Sequence, residues 1–336
     1  PAVERLKARG KKYWNSENLF LEMFIPAARH IEVQFARDRQ GNFLHFGTRD
    51  CSLQWQFQKV IEIAPAPNFN KAEELYEYTV RIADKLEYVG LGTVEFLVSP
   101  EGDIYFLEIN PRLQVEHGVS ELITEVDLVE ILVRIASGKP MGMSQANIVF
   151  KGFAVEARIN TQVVNIHNLS PVATKGKVSK FKFPDGVRVD HTLYNGYEPS
   201  LEYNPTQAKL MVRGDTYEEA IKNLSSALRA TTIEGIETNI PLVKEILRDA
   251  KVKSGEHTVE AIPRVVTRFA RKISAAIAIA VAEEEDVQPR KEFITAAALG
   301  IIAAVRQEQV AIPDSSEWRY SGRRAAMRSG LSGGWR

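Results

Sequence analysis

The stretch EINPRLQVE, residues 108–116, is the part of the chain that decides its fold and locates its chemistry. In an extended chain alternate side chains point to the same side, and here every second residue is polar. Five polar groups of complementary type are therefore expected to line one groove. A solvated edge strand is the alternative, although such strands seldom combine both charge signs, two amides and a proline. The five are Glu108, Asn110, Arg112, Gln114 and Glu116.

A second acid lies one hairpin away from this stretch. Glu95 interrupts an otherwise apolar strand, and a Ser-Pro-Glu-Gly-Asp turn at 99–103 leads to the strand that ends near Glu108. A buried carboxylate is costly unless it is paired or binds a metal, so two of them on adjacent strands indicate a hard-cation site. Mg²⁺ fits best because it takes oxygen ligands and commonly bridges carboxylates to phosphates. A salt bridge from Glu95 to a lysine or arginine is the alternative.

A third polar cluster is RDCSLQ at residues 49–54, which is followed by Gln58 and Lys59. Lys59 could hold a phosphate or another small anion as a point charge. On its own, however, a single lysine is more often a surface residue.

The composition excludes several classes of protein. Hydrophobic residues make up 44% of the chain and charged residues 26%, which is typical of a soluble globular protein. The 43 basic and 43 acidic residues cancel, so neither nucleic acid nor a membrane is expected as a partner. The single cysteine, Cys51, excludes an intrachain disulfide and a cysteine-based zinc site, and it agrees with a cytoplasmic location.

The pattern of elements predicts an α+β fold, and 336 residues are enough for about two domains. Period-two runs indicate strands, and apolar residues at helical spacing indicate helices. The expected elements are hairpin strands at 30–37 with 43–46 and at 93–98 with 104–109, helices at 71–87, 127–137, 218–230 and 240–249, and a further strand at 152–160.

The C-terminal part has a different composition. Two alanine-rich apolar runs, residues 273–282 and 294–305, are shorter than the roughly 20 residues that span a bilayer, so we expect packed soluble helices. From Trp318 onward there are five arginines and no acidic residue, which indicates a solvated or partner-bound tail.

Eight separated motifs together resemble biotin carboxylase, the ATP-grasp component of the biotin-dependent carboxylases. The resemblance covers about residues 1–260. The motifs are RHIEVQ (29–34), RDCSLQ (49–54), QKVIE (58–62), APAP (64–67), GTVEFL (92–97), EINPRLQVEH (108–117), EARIN (156–160) and YNGYE (194–198).

The resemblance implies that bicarbonate is phosphorylated with ATP and that the resulting CO₂ passes to N1 of biotin on a carrier protein. It implies that Glu116 is the base that deprotonates bicarbonate and that Arg158 stabilises the enolate-like oxygen of biotin. Mg²⁺ or Mn²⁺ would be held by Glu95, Glu108 and Asn110. Bicarbonate would be held by Lys59, Arg112, Gln114 and the backbone of Val115. The implied nucleotide contacts are Glu22, Met23, Ile25, His30, Gln54, Leu97 and Ile236.

The resemblance also implies an architecture and partners. Residues 1–145 would be the C-terminal half of an ATP-grasp domain and 146–263 a biotin carboxylase C-terminal domain. Residues 264–336 lie outside the resemblance, and their composition predicts an alanine-rich helical extension with an arginine-rich tail. The expected partners are the biotin carboxyl carrier protein, a second copy of the chain in the full-length form, and a carboxyltransferase subunit. The chain begins with Pro1 and has no glycine-rich loop before Lys59. We therefore expect a fragment that binds ATP poorly.

Several positions depart from the family pattern. Thr48 stands where Glu is usual, Met23 where Lys is usual, and Gly118 where Pro or Thr is usual. Trp55-Gln56-Phe57 replaces Arg-Arg-His, and Gln162-Val163-Val164 replaces an acidic-Asp-Pro turn. The family's ATP-grasp lid, which carries a glycine-rich phosphate loop, is expected to lie mostly upstream of Pro1. Its absence from this chain and the changes above leave a second hypothesis open, a non-catalytic paralogue that acts in assembly or carrier docking. A different ATP-grasp carboxylate–amine ligase is disfavoured by EARIN and by the C-terminal α+β segment.

Overall fold

The structure is a computed structural model that describes residues 2–202 and 204–284. Twelve strands lie within this part of the chain. They are β1 (Arg29–Arg37), β2 (Phe43–Trp55), β3 (Gln58–Ala64), β4 (Gly90–Val98), β5 (Ile104–Asn110), β6 (Phe153–Asn160), β7 (Gln162–Val164), β8 (Pro171–Ala173), β9 (Lys180–Lys182), β10 (Arg188–His191), β11 (Thr206–Gly214) and β12 (Thr232–Glu234).

Eight α-helices lie in the same part of the chain, with a short 3₁₀ turn at Gln145–Asn147. They are α1 (Ala2–Trp14), α2 (Ala72–Lys85), α3 (His117–Thr124), α4 (Leu128–Ala136), α5 (Tyr217–Ala230), α6 (Ile240–Ile246), α7 (Ala250–Ser254) and α8 (Ala261–Glu284). None of these helices combines the length and the apolar character that crossing a bilayer would take.

One eight-stranded antiparallel sheet carries the fold, in the order β10-β11-β6-β3-β2-β1-β4-β5. Strands from both sides of residue 145 share it, because β6 pairs with β3. Helices α5 to α8 pack with β3, β6 and β11 around the largest core, while α2 covers β1 and β4. The predicted α+β fold class is confirmed.

Both predicted hairpins are confirmed, since β1 pairs with β2 and β4 pairs with β5 in antiparallel register. The predicted helix at 127–137 is α4, whose N-cap Asp127 accepts a hydrogen bond from the amide of Glu130. Helices α1, α3 and α7 were not predicted. α3 is short, has a glycine at its second position, and has no side-chain hydrogen bond at its N-cap, so it lacks the usual start signals.

The predicted helix at 273–282 lies inside α8, which begins at Ala261 and buries Val265, Val266 and Ala270 in the large core. The predicted helix at 294–305 and the arginine-rich tail lie outside the described residues.

Candidate active site

A row of charged residues crosses four neighbouring strands, β5, β4, β1 and β2, on one side of the sheet. Glu108 on β5 pairs directly with Glu95 on β4, Glu95 pairs with Glu32 on β1, and Glu32 pairs with Arg49 on β2. Directly paired residues on antiparallel strands lie on the same face with their Cβ atoms about 4.5–5.5 Å apart. The expectation that Glu95 and Glu108 are neighbours across a hairpin is therefore confirmed.

The donor set around Glu95 suits a hard divalent cation. The amide nitrogen of Asn110 donates to Oε1 of Glu95 and to Oε1 of Glu108, at 3.1 Å in each case. A half-turn of this amide would present its oxygen to the same two carboxylates, and three oxygen donors are the ligands that Mg²⁺ prefers. Gln114 also donates to Oε1 of Glu95, at 2.9 Å. The residues present therefore fit a magnesium site.

Lys59 lies among three buried acids, and we call the group of Lys59, Glu32, Glu95 and Glu116 the cluster. Its Nζ lies 2.7 Å from Oε2 of Glu32, 3.0 Å from Oε1 of Glu95 and 2.5 Å from Oε1 of Glu116. The salt bridge considered as an alternative for Glu95 is thus present, next to a donor set that also fits a metal. Burial alone would raise the pKa of Glu95, but Lys59 and His30 hold it well below its usual value.

Glu116 is held between two cations. Its Oε1 accepts from Lys59, and its Oε2 accepts from Nη2 of Arg158 at 2.9 Å. The side chain is almost fully buried, which by itself would raise its pKa, but Lys59, Arg158 and Arg49 lower the pKa far below its usual value. Arg158 is anchored on its other side by Glu62, whose Oε1 accepts from Nε at 2.5 Å.

The buried Arg49 ties the cluster to α3, and sequence reasoning did not assign it to the site. Its guanidinium donates to Glu32 at 2.5 Å, to Gln114 at 2.7 Å and to Ser120 at 3.1 Å. Glu32 and Glu62 were missed as well. Glu62 interrupts the apolar run of β3, the same signal that identified Glu95, and this signal could have found it. Glu32 lies at a polar position of the alternating strand β1, where an acid gives no such signal.

The alternation of residues 108–116 holds only as far as Asn110, because β5 ends there. Beyond Pro111 the chain turns into α3, and Gln114 and Glu116 reach the cluster while Arg112 does not. Among the described residues, the guanidinium of Arg112 donates only to the carbonyl of Leu113. Arg112 lines a cavity of about 960 Å³ together with Arg37 and Arg39. The carbonyl of Val115 accepts from Lys209 at 2.8 Å.

The implied nucleotide residues fall into three groups. His30, Leu97 and Gln54 lie together, because His30 pairs with Leu97 across β1 and β4 and its Nδ1 lies 2.9 Å from Nε2 of Gln54. Glu22, Met23 and Ile25 lie in the irregular segment between α1 and β1, where Glu22 and Met23 are exposed. Ile236 packs in a separate hydrophobic cluster with Val178 and Leu193.

His30 adjoins the cation site, with Nε2 3.0 Å from Oε2 of Glu95. Burial by itself lowers the pKa of His30, but the Glu95 carboxylate outweighs this effect and the pKa is raised.

Three of the departures have visible structural settings. Gln56 and Phe57 form the two-residue turn between β2 and β3, and both have positive φ. Met211 packs against Gly118, and a Cβ added at Gly118 would lie 2.3 Å from the Met211 sulfur. Met211 therefore fills the space that a larger residue at position 118 would take. The hydroxyl of Thr48 accepts from the amide of Ala66.

Two family profiles match the chain in succession. The first, described as the ATP-binding domain of the carbamoyl-phosphate synthase L chain, matches residues 3–144. The second, described as the biotin carboxylase C-terminal domain, matches residues 156–264.

Curated proteins similar to this chain are named as biotin carboxylases or as carboxylase subunits. Biotin carboxylase from Halalkalibacterium halodurans is 41% identical over 254 residues, which are 74% of this chain and 55% of the relative. The 2-oxoglutarate carboxylase small subunit from Hydrogenobacter thermophilus is 37% identical over 259 residues, which are 76% of this chain and 53% of that protein. The chain thus spans somewhat more than half the length of the curated relatives that it matches.

Solved structures match the fold. The biotin carboxylase domain dimer of Hydrogenobacter thermophilus 2-oxoglutarate carboxylase, in complex with MgADP, ADP and bicarbonate, aligns with a TM-score of 0.72 at 35% identity and covers 79% of this chain and 59% of that one. A biotin carboxylase from Campylobacter jejuni, in complex with a β,γ-ATP ligand, aligns with a TM-score of 0.73 at 31% identity and covers 78% of this chain and 58% of that one. The chain therefore belongs to the biotin carboxylase family.

Proposed function

We propose that this chain carries the catalytic site for ATP-dependent carboxylation of biotin by bicarbonate. The observation that carries the proposal is the convergence of Glu116, Lys59 and Arg158 beside the Glu95–Glu108 pair. A buried base flanked by two cations suits a reaction that removes a proton from one anion and develops negative charge on a second substrate. The solved relative from Hydrogenobacter thermophilus, which holds MgADP and bicarbonate, supports the substrate assignment.

Glu116 would be the base toward bicarbonate, and its contacts suggest how it becomes basic enough. With both oxygens held by Lys59 and Arg158, its pKa is far below the usual value and it is a weak base. A bicarbonate bound at Lys59 competes with Glu116 for the ammonium group. Losing that partner raises the pKa of Glu116 at the moment when a proton must be taken up.

The other bicarbonate contacts in the proposal are Arg112, Gln114 and the backbone of Val115. A planar guanidinium matches planar carbonate, so Arg112 would have to turn from its contact with Leu113 toward Lys59. Arg158 would stabilise the oxygen of biotin as charge develops there, after N1 loses its proton.

Glu95, Glu108 and Asn110 would hold Mg²⁺ or Mn²⁺. The cation would neutralise negative charge on the phosphates of ATP. His30, Gln54 and Leu97 would line the nucleotide site. The other proposed contacts with the nucleotide are Glu22, Met23, Ile25 and Ile236. Because His30 adjoins both Glu95 and Gln54, it would connect the nucleotide site with the cation site.

The proposal extends to domains and partners. Residues 1–145 and 146–263 would act as two functional parts that share one sheet, followed by the extension at 264–336. Relatives named as carboxylase subunits and a solved dimer support three partners, which are a carrier protein, a second copy of the chain and a carboxyltransferase subunit. The single cysteine, which is buried, supports a cytoplasmic location.

Mn²⁺ binding tests the cation site directly. We expect the chain to bind Mn²⁺, measured by water-proton relaxation, and we expect Glu95→Gln and Glu108→Gln each to weaken binding at least tenfold. Glu101→Gln is the matched control, since Glu101 is an exposed acid in the turn of the same hairpin. Equal binding by all four proteins would refute the site.

Turnover tests the reaction itself. The chain would be assayed alone and joined to the N-terminal region of the Halalkalibacterium halodurans relative, by bicarbonate-dependent release of ADP with free biotin. We expect turnover in the joined protein and its loss in Glu116→Gln and Arg158→Ala. Unchanged rates in these variants would exclude the assigned roles.

A non-catalytic assembly module is the second candidate, and the β2–β3 turn favours it. Gln56 and Phe57 replace the usual Arg-His pair next to the implied nucleotide residue Gln54. Absence of Mn²⁺ binding together with absence of turnover in the joined protein would favour this candidate.

A further inference from the structure

Two fully buried acids, Glu62 and Glu156, lie side by side and have no role in the proposed reaction. Glu62 on β3 pairs directly with Glu156 on β6 in the antiparallel register, so their side chains lie on the same face of the sheet. Neither residue has any exposed surface. Bulk water therefore solvates neither carboxyl group.

The oxygens of this pair are unevenly partnered. Oε1 of Glu62 accepts from Nε of Arg158 and is ion-paired with Nη2 of the same guanidinium. Within the described part of the chain, Oε2 of Glu62 and both oxygens of Glu156 have no hydrogen-bond partner. Two ionised carboxylates in this position would repel each other. If one of the two acids is protonated, its hydroxyl can donate a hydrogen bond to an unpartnered oxygen of the other.

The surroundings determine which acid holds the proton. The charged groups that act on Glu156 are Glu62, Lys209 on β11, Arg158 on its own strand and Glu116 before α3. Met211 lies directly across on β11, and the residues that α3 and α5 bury are uncharged. Burial and the neighbouring Glu62 raise the pKa of Glu156 well above its usual value. Because Arg158 contacts Glu62 directly, the negative charge is better placed on Glu62.

We propose that Glu156 is protonated at neutral pH, donates a hydrogen bond to Oε2 of Glu62, and thereby fixes the guanidinium of Arg158. Nη2 of Arg158 contacts Glu62 on one side and Glu116 on the other. A Glu62 carboxylate held at both oxygens cannot rotate, so Arg158 keeps its place beside Glu116. Glu62 and Glu156 are positioning residues in this arrangement. The consequence for biotin rests on the proposed function. The protonation of Glu156 and the contact between Glu62 and Arg158 do not.

Infrared spectroscopy tests the protonation state on the chain as it stands. We expect a carbonyl-stretch band of a protonated carboxylic acid at pH 7, which is lost in Glu156→Gln. Glu218→Gln, a change at an exposed acid on α5, is the control and should leave the band unchanged. Absence of the band in the unmodified chain, or its persistence in Glu156→Gln, overturns the proposal. Glutamine has nearly the same shape as a protonated glutamate, and the thermal melt of each variant checks that it folds.

Exchange of the Arg158 Nε–H with solvent tests the positioning role without any activity. The resonance is assigned by its loss in Arg158→Lys. We expect Glu62→Gln and Glu156→Ala to speed its exchange about tenfold or more, as the loss of a charge-assisted hydrogen bond implies, while Glu156→Gln leaves it slow. Equal exchange in Glu156→Ala and the unmodified chain overturns the role of Glu156.

The two proposals fail separately. If the band and the slow exchange are found but the joined protein gives no turnover, the proposed function fails and the acid pair stands. If turnover is found without the band, the acid pair fails alone.

Discussion

The Nζ atom of Lys59 lies 2.5 Å from Oε1 of Glu116, so a proposed bicarbonate ligand and the proposed base are ion-paired with each other. The same ammonium group contacts Glu32 and Glu95, so three carboxylates share this one lysine cation in a site that water barely reaches. Stability and substrate binding therefore depend on the same cation.

Replacing Lys59 with methionine should destabilise the chain by about 3–5 kcal/mol, because it leaves buried carboxylates without their cation. A divalent cation at Glu95 and Glu108 would replace part of the lost charge. We expect Mn²⁺ to restore more stability to Lys59→Met than to the unmodified chain, as measured by urea unfolding with and without the metal. Lys85→Met, at an exposed lysine, should change the free energy of unfolding by less than about 0.5 kcal/mol. Equal stability of the two variants would contradict the central role of Lys59.

Acid should weaken the contribution of Glu116. Its pKa in the folded chain is below the usual value of 4.5, so its stabilising effect is complete above that pH and is lost as pH falls. The difference in the free energy of unfolding between the unmodified chain and Glu116→Gln should therefore shrink between pH 6 and pH 3. Chemical denaturation at several pH values measures it. A difference that stays constant would show that Glu116 is not ion-paired in solution.

Glu156 should show the opposite dependence. Its pKa in the folded chain is raised above 4.5, so its contribution to stability is complete below that pH and is lost as pH rises. Glu156→Gln does not titrate, and it should gain stability relative to the unmodified chain between pH 5 and pH 9. Parallel stability curves for the two proteins over this range would show that the carboxyl group does not change its pKa on folding.

Gly152 should not tolerate a side chain. Its φ is +60°, and an added Cβ would lie 2.3 Å from the backbone oxygen of Gly214. Gly186 also has positive φ, +73°, but nothing lies within 4 Å of its Cβ position. Gly186→Ala should therefore cost about 1 kcal/mol for the left-handed backbone alone, while Gly152→Ala should cost at least about 2 kcal/mol more. Urea unfolding of both variants compares them, and equal losses would mean that the β11 backbone moves aside freely.

The local elements could be read from the sequence where a regular period or a turn signal marks them. The two hairpins follow from alternation around Gly41-Asn42 and the turn at 99–103, and α4 follows from its Asp127 cap and Gly138. α3 could not be found in this way, because it is stabilised by packing: Val119 and Ile123 are buried with Ala64 and Ala154, which are distant in sequence.

The site could be predicted only in part, for a similar reason. Glu95 and Glu108 are neighbours through a hairpin, so local pattern brings them together. Glu32 joins them through the pairing of β1 with β4, and nothing local gives that register. Arg49 lies opposite Glu32 in the β1–β2 hairpin, but a register shift between Val33 and Phe35 hides this pairing from the turn pattern. The position of Arg112 differs from the alternating pattern because the chain leaves β5 after Asn110 and turns into α3.

Pairing of β3 with β6 has a consequence for how the protein is made. The contact between Arg158 and Glu62 joins residues 96 positions apart, whereas Glu95 and Asn110 are only 15 apart. Local contacts form quickly, while distant ones must first overcome the entropy of loop closure. During synthesis Glu62 therefore leaves the ribosome well before its arginine partner exists, and this buried acid of β3 cannot form its ion pair until β6 emerges and docks.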